Sequence, residues 1–186
     1  MHGDHVVDAD LLDDFNIEPV ADAAVTSKSH VALAIQTADC VPVLLACTSG
    51  NVIGAAHCGW KSAKLNIIDR LVEVMRLKQA KEIIAVIGPA IQQFSYEVEQ
   101  NFYDDFLKIN SDNMVFFIPA ITENHFMFDL PAYIVQKLQQ QGVSIINRYN
   151  DDTYSDEAKY PSYRRACHQG NKQYRGNILS TIVRII

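Results

Sequence analysis

Apolar residues in this chain gather into short runs separated by polar turns, and the period of each run predicts its structure. Ala32 to Gln36 and Val41 to Cys47 read as strands around the turn Thr37-Ala38-Asp39-Cys40, and Val52 to Ala56 as another strand after Ser49-Gly50-Asn51. Beyond Trp60 the spacing becomes helical. Leu65, Ile68, Leu71, Val72 and Met75 form one apolar face beside Lys64, Asp69, Arg70 and Glu73, predicting a helix that begins near Ser62. Glu82 to Ile87 is a buried-type strand stopped by Gly88-Pro89, and Glu97 to Ile109 reads as a second helix. Phe116 to Pro119 and His125 to Phe128 predict short strands. Leu130 to Gln141 predicts a third helix ending at Gly142, and Val143 to Tyr149 and Ile178 to Ile186 predict strands.

The early strands lie too close together for helical crossovers, so antiparallel or mixed pairing is expected rather than a doubly wound parallel sheet. The fold class is α+β: a single domain of mixed β-sheets with flanking helices in layers. The polar stretch from Asn150 to Ser162 reads as a loop inside that domain.

Bulk composition narrows the function. With 186 residues, of which 48% are hydrophobic and 20% charged, the chain has enough apolar material for one core. A net charge of -6 argues against a broad surface for nucleic acid. Cys40, Cys47, Cys58 and Cys167 are too sparse for a disulfide framework in a domain of this size, and no signal-peptide pattern opens the chain. A cytoplasmic location follows. The longest apolar runs are strand-length, which predicts no membrane role. Near the carboxyl end, Arg164 and Arg165 stand together with Lys172 and Arg175 following. Such a group can hold a small anion, although a solvated charge cluster is the simpler account.

The candidate chemistry lies in Thr37-Ala38-Asp39-Cys40 and Ala55-Ala56-His57-Cys58-Gly59-Trp60. A thiolate and an imidazole can share a zinc ion, or the imidazole can activate the thiol as a nucleophile. His2, in Met1-His2-Gly3-Asp4-His5, completes a His-Cys-His set if the fold returns the amino terminus to this point. Spacing alone leaves both chemistries open, as well as the plainer one of a buried cysteine beside a satisfied core histidine.

Taken together, His2-Gly3-Asp4, Ala21-Asp22-Ala23, Thr37 to Leu44, Ala55 to Trp60, Gly88-Pro89-Ala90-Ile91, Tyr96-Glu97-Val98, Asp129-Leu130 and Ser162-Tyr163-Arg164-Arg165 resemble the multicopper-polyphenol-oxidase-like laccase family. This family is also called the peptidoglycan-editing-factor family, and its members include zinc-containing purine nucleoside phosphorylases. The resemblance spans nearly the whole chain, 1–186. It implies that His2, Cys40 and His57 bind zinc and leave a fourth position open. It further implies a zinc-dependent purine nucleoside phosphorylase that also takes methylthioadenosine and deaminates adenosine, with purine nucleoside and phosphate as its small-molecule partners. In that reading Cys40 and His57 are catalytic with Asp39 as a proton shuttle, and Lys61, Arg164 and Arg165 are the substrate-binding candidates. An aspartate at a strand end more commonly orients a turn.

Two other readings belong beside it. Copper can substitute for zinc at such donors, giving a copper-dependent polyphenol oxidase, although 6 histidines are few for a multicopper relay. A metal-free Cys-His hydrolase editing peptidoglycan precursors would use Cys40 and His57 directly. The chain departs from the family pattern at Cys58, where relatives usually have alanine, at Lys61-Ser62 in place of Arg-Gly, and at Asp152, where a cysteine is common. Relatives also carry a segment before the histidine-glycine motif, so an amino-terminally shortened domain is expected.

Overall fold

The strand-length runs come together edge to edge. The computed structural model describes residues 3–13, 20–171 and 176–185. In chain order they form β1 (Val6–Asp8), β2 (Ala23–Thr26), β3 (Ala32–Thr37), β4 (Val41–Cys47) and β5 (Ile53–Cys58), then helices α1 (Trp60–Lys64) and α2 (Ile67–Leu77). There follow β6 (Ile83–Ile87), β7 (Glu97–Glu99), α3 (Gln100–Ile109), β8 (Phe117–Pro119), β9 (His125–Phe128), α4 (Leu130–Gln140), β10 (Ser144–Arg148), α5 (Tyr163–His168) and β11 (Ile178–Val183).

A six-stranded mixed sheet, ordered β1-β2-β5-β4-β6-β10, is the centre of the molecule. Its four inner strands pair antiparallel and its two outer pairs are parallel. The alternation of β4 divides its side chains between two cores. Val41, Val43 and Leu45 pack in the larger one with Leu71, Val72 and Met75 of α2 and Ile134 and Leu138 of α4. On the other face Leu44 and Ala46 join Leu33, Ile35 and Ile182 from a separate antiparallel ribbon of β3 and β11. A third sheet, β7-β9-β8, closes over an aromatic cluster in which Phe102, Phe106, Phe117 and Phe128 pack at ring-centroid distances of 4.6 to 6.2 Å. The α+β class and the mixed pairing are as expected.

Several local expectations are corrected. The helix expected from Ser62 is two helices, because Asn66 adopts φ +63 and turns the chain; Leu65 is left 48% exposed instead of joining the apolar face. Asparagine tolerates this left-handed conformation better than most residues. The helix expected from Glu97 starts at Gln100. Glu97, Val98 and Glu99 instead pair with Met127, Phe126 and His125, so that Val98 is buried between two more open glutamates. Strand β5 runs on to Cys58, beyond the expected end at Ala56. Strands β1 and β2 and helix α5 were not expected from the pattern, being short and weakly periodic. The last strand ends at Val183, short of the expected end at Ile186, which itself lies outside the described residues, as do Lys172 and Arg175. Among the described residues no helix is long and apolar enough to cross a membrane.

Candidate active site

Both motifs converge at one end of the β4-β5 pair. Pro42 lies directly opposite His57 and Val41 opposite Cys58, and Cys40 immediately precedes this register. On the far side of β5, the His57 N–H donates to the Asp22 carbonyl at 2.7 Å. Gly3 reaches the same place, its N–H donating to Asp22 Oδ2 at 2.6 Å. His2 itself lies outside the described residues. Asp22 is 4% exposed and links the start of the chain to the histidine strand, a role its polar, isolated position in the sequence did not reveal.

Cys40 is half-buried, and burial, reinforced by the negative charges of Asp39 and Asp22, pushes its thiol up to about 12. Cys58 is fully buried in the larger core, and burial, with smaller contributions from Cys40 and Asp22, raises its thiol as well. Strand alternation sends His57 and Cys58 to opposite faces, so the extra cysteine is a core residue here. The negative charges of Asp39 and Asp22 thus disfavour the Cys40 thiolate, and a thiophilic cation would offset them.

The turn before Cys40 is held by Asp39, which has φ +86 and is 8% exposed. Its Oδ1 accepts from Thr153 Oγ1 at 2.8 Å, and its Oδ2 accepts from Ser162 Oγ at 3.0 Å and from the Arg164 N–H at 2.7 Å. The Asp39 carbonyl accepts from the Ile91 N–H at 3.0 Å. Ser162 also caps α5 by accepting from the Arg165 N–H. One aspartate thus gathers the Cys40 turn, the 150–162 loop and the start of α5.

A cavity of about 240 Å³ opens above this turn, with Asp39 and Cys40 on one side and Trp60, Tyr96, Leu130 and Arg164 among its other walls. Trp60 is fixed from behind by Phe102, ring centroids 5.1 Å apart, so the aromatic cluster sets the wall. The Arg164 guanidinium lies over the Tyr96 ring, and its Nη1 donates to the Glu97 carbonyl.

The other two cationic candidates are elsewhere. Arg165 turns away from the cavity and donates to the carbonyls of Thr153, Tyr154 and Tyr160. Lys61 is exposed beside the outer side of Trp60, 5.3 Å from the ring centroid. Asp152 accepts from the N–H groups of Gln92 and Tyr154 and from Ser95 Oγ. It fastens the 150–162 loop beside the cavity. Thr153, Ser162 and Asp22 are further polar residues of the site whose importance only their contacts disclose.

The family model for multi-copper polyphenol oxidoreductase laccase matches residues 1–185. The chain belongs to this family. It is 49% identical over 183 residues to a purine nucleoside phosphorylase of Rickettsia conorii, covering 98% of the chain and 75% of that relative. A purine nucleoside phosphorylase of Xylella fastidiosa is 35% identical over 176 residues, covering 91% of the chain and 66% of the relative. Among solved structures, that of a Neisseria meningitidis protein superposes with a TM-score of 0.85 at 29% identity, covering 98% of the chain and 72% of that structure. The chain therefore shares its overall fold with that structure.

Proposed function

We propose that this protein is a zinc-dependent purine nucleoside phosphorylase that also accepts methylthioadenosine and deaminates adenosine. The observation that carries the reading is the cavity itself, which places a thiol, three aromatic residues and one guanidinium around a single space. The names of its relatives supply the substrate class.

Cys40, His57 and His2 are the proposed zinc donors. Among the described residues, no group of three or more His, Cys, Asp or Glu side chains is arranged to hold a metal, and His2 lies outside them. The donor chemistry fits: thiolate and imidazole are zinc ligands, and a cation would stabilise the Cys40 thiolate that burial, Asp39 and Asp22 disfavour. The same surroundings argue against Cys40 as a free nucleophile in a metal-free hydrolase. When bound, zinc supplies Lewis-acid activation.

The rest of the task falls to the chain's own side chains. Trp60 and Tyr96 provide surfaces on which a purine can stack, and Leu130 keeps the space apolar. Arg164 presents a cation where phosphate must meet the sugar, and its contacts with Tyr96 and Glu97 orient it before substrate arrives. Lys61 and Arg165 are not in the cavity wall.

The test is to incubate purified protein with inosine, adenosine or methylthioadenosine, with and without phosphate, and to measure metal in the wild type and Cys40→Ala. Phosphate-dependent release of free base, with about one zinc per chain lost in the variant, is the expected outcome. Absence of any base release or deamination at high protein concentration would refute the reading. Activity that appears only after copper loading, as phenol oxidation, would transfer the site to the oxidase class.

A further inference from the structure

We infer that Asp39 is a positioning residue: its carboxylate sets Cys40 and Arg164 in a fixed relation across the cavity and does not act as a proton shuttle. The inference rests on the proposed function only for what the cavity binds. Its geometric basis is independent.

Cys40 follows Asp39 directly, and Arg164 is tied to it through its backbone N–H at 2.7 Å. The residues that carry the proposed metal donor and the proposed phosphate-binding side chain, remote in sequence, are thus both joined to one residue, Cys40 by the peptide bond and Arg164 by a hydrogen bond from its backbone. Thr153 and Ser162 complete its shell, so three of roughly four acceptor directions of the carboxylate are taken. A carboxylate whose oxygens are so engaged by Thr153, Ser162 and the Arg164 N–H has little left with which to reach substrate.

Backbone geometry supports the same role. A non-glycine residue at φ +86 adopts an unfavourable conformation that persists only where the surroundings over-determine it. Here the surroundings are the three side-chain contacts and the bond from the Ile91 N–H to the Asp39 carbonyl. The strained turn releases the chain from β3 and redirects it into β4, carrying Cys40 to the cavity. Losing the carboxylate would free both the thiol and the guanidinium to drift, and a displacement of about 1 Å at such groups can cost about 100-fold in rate.

Two substitutions separate positioning from proton transfer. Asp39→Asn tolerates the same φ and keeps the shape. Its amide oxygen can accept from Ser162 and Arg164, while its amide nitrogen donates to Thr153 Oγ1, which then becomes the acceptor. Asp39→Gly also tolerates the φ but deletes all three contacts. Thr153→Val removes one contact without touching the turn.

Measured on the full chain as purified, kcat/KM for inosine and phosphate should fall less than about tenfold in Asp39→Asn and about 100-fold in Asp39→Gly, with KM for phosphate raised, and Thr153→Val should lie between them. Zinc content and the fluorescence of Trp60, the single tryptophan, during inosine titration give readouts that need no turnover. They should stay near wild type in Asp39→Asn and change in Asp39→Gly. If the wild type releases no base, the proposed function fails while these two readouts still decide the positioning role. Asp39→Asn as impaired as Asp39→Gly would overturn it, as would an Asp39→Gly protein that matches wild type throughout. Should Asp39→Gly not fold, Thr153→Val decides: a loss exceeding that of Asp39→Asn supports positioning, and the reverse order overturns it.

Discussion

The guanidinium carbon of Arg164 sits 4.9 Å from the centre of the Tyr96 ring, so a cation and an aromatic wall of the cavity hold each other in place. This contact is an attraction between the charge and the ring face, supplemented by the bond from Nη1 to the Glu97 carbonyl. Tyr96 is 8% exposed, and burial raises its phenol despite the opposing charge of Arg164. The ring face and the neutral phenol oxygen, rather than an ionised one, are what meet the guanidinium.

Arg164→Lys should therefore be damaging although it keeps the charge. An ammonium cannot reproduce the planar contact and the fork together, and KM for phosphate is expected to rise by about tenfold, equivalent to about 1.4 kcal/mol. Tyr96→Phe keeps the ring face and loses only the phenol contact, so it should raise KM less than Arg164→Lys. Steady-state kinetics on both variants provide the check, and equal effects would contradict this assignment.

Arg165 has the opposite profile. Its side chain is 13% exposed and its donors are spent on three loop carbonyls, so Arg165→Met should lower unfolding stability by roughly 1.5–3 kcal/mol, the range for hydrogen bonds to a charged group. Calorimetry would show the loss. Trypsin should cut faster after Lys159, an exposed residue of the loop that Arg165 moors.

Gly54 within β5 and Gly88 just past the end of β6 should respond unequally to alanine. A Cβ at Gly88 would lie 2.7 Å from Pro42 Cγ, and the proline ring has little freedom to move. At Gly54 the nearest atoms are Met75 Sδ at 2.9 Å and Leu71 Cδ1 at 3.2 Å, both on flexible side chains. Gly88→Ala is expected to cost about 1–3 kcal/mol by overpacking, and Gly54→Ala less. Denaturant titration of the two variants would reveal the order.

Acid should weaken the attachment of the first strand. Burial disfavours the Asp10 carboxylate, but hydrogen bonds from Lys78, Ser27 and Thr26 outweigh it and hold the group well below the usual carboxylate range. The native pKa is lower than the unfolded value of about 3.9, so the stabilisation is present above that value and disappears as pH falls through the native one. Asp10→Asn should consequently be less stable than wild type at pH 7, with the gap narrowing below about pH 4. Burial acts against the Lys78 ammonium, but Asp10 and Asp8 outweigh it and raise its pKa. Thermal unfolding from pH 7 to pH 2 tests the sign.

Much of this architecture was legible in the order of the residues. Val41 to Cys47 is strand-length and apolar, and it became β4 with the expected bounds; His125 to Phe128 did the same, and the spacing from Ile68 to Met75 marked a helix face that is buried. These elements are readable because their period reflects local backbone geometry. The turn carrying Cys40 and the strand leading to His57 were also visible as neighbouring motifs. By contrast, Glu97 to Glu99 could satisfy a helical pattern, and only the strand at His125–Phe128 drew it into a sheet. Asp39 looked like a chemical group beside a cysteine until Thr153, Ser162 and Arg164 arrived from more than a hundred residues away.

Arg164 and Arg165 show the division most simply. Side by side in the sequence they are equivalent cations, and the chain alone determines only that a basic pair stands near its carboxyl end. On a helix of about 3.6 residues per turn, adjacent side chains diverge by roughly 100°, so one points to the cavity and the other to the loop. Which one faces the cavity depends on where Asp39, more than a hundred residues away in sequence, anchors the helix that Ser162 caps, a meeting that no local pattern encodes.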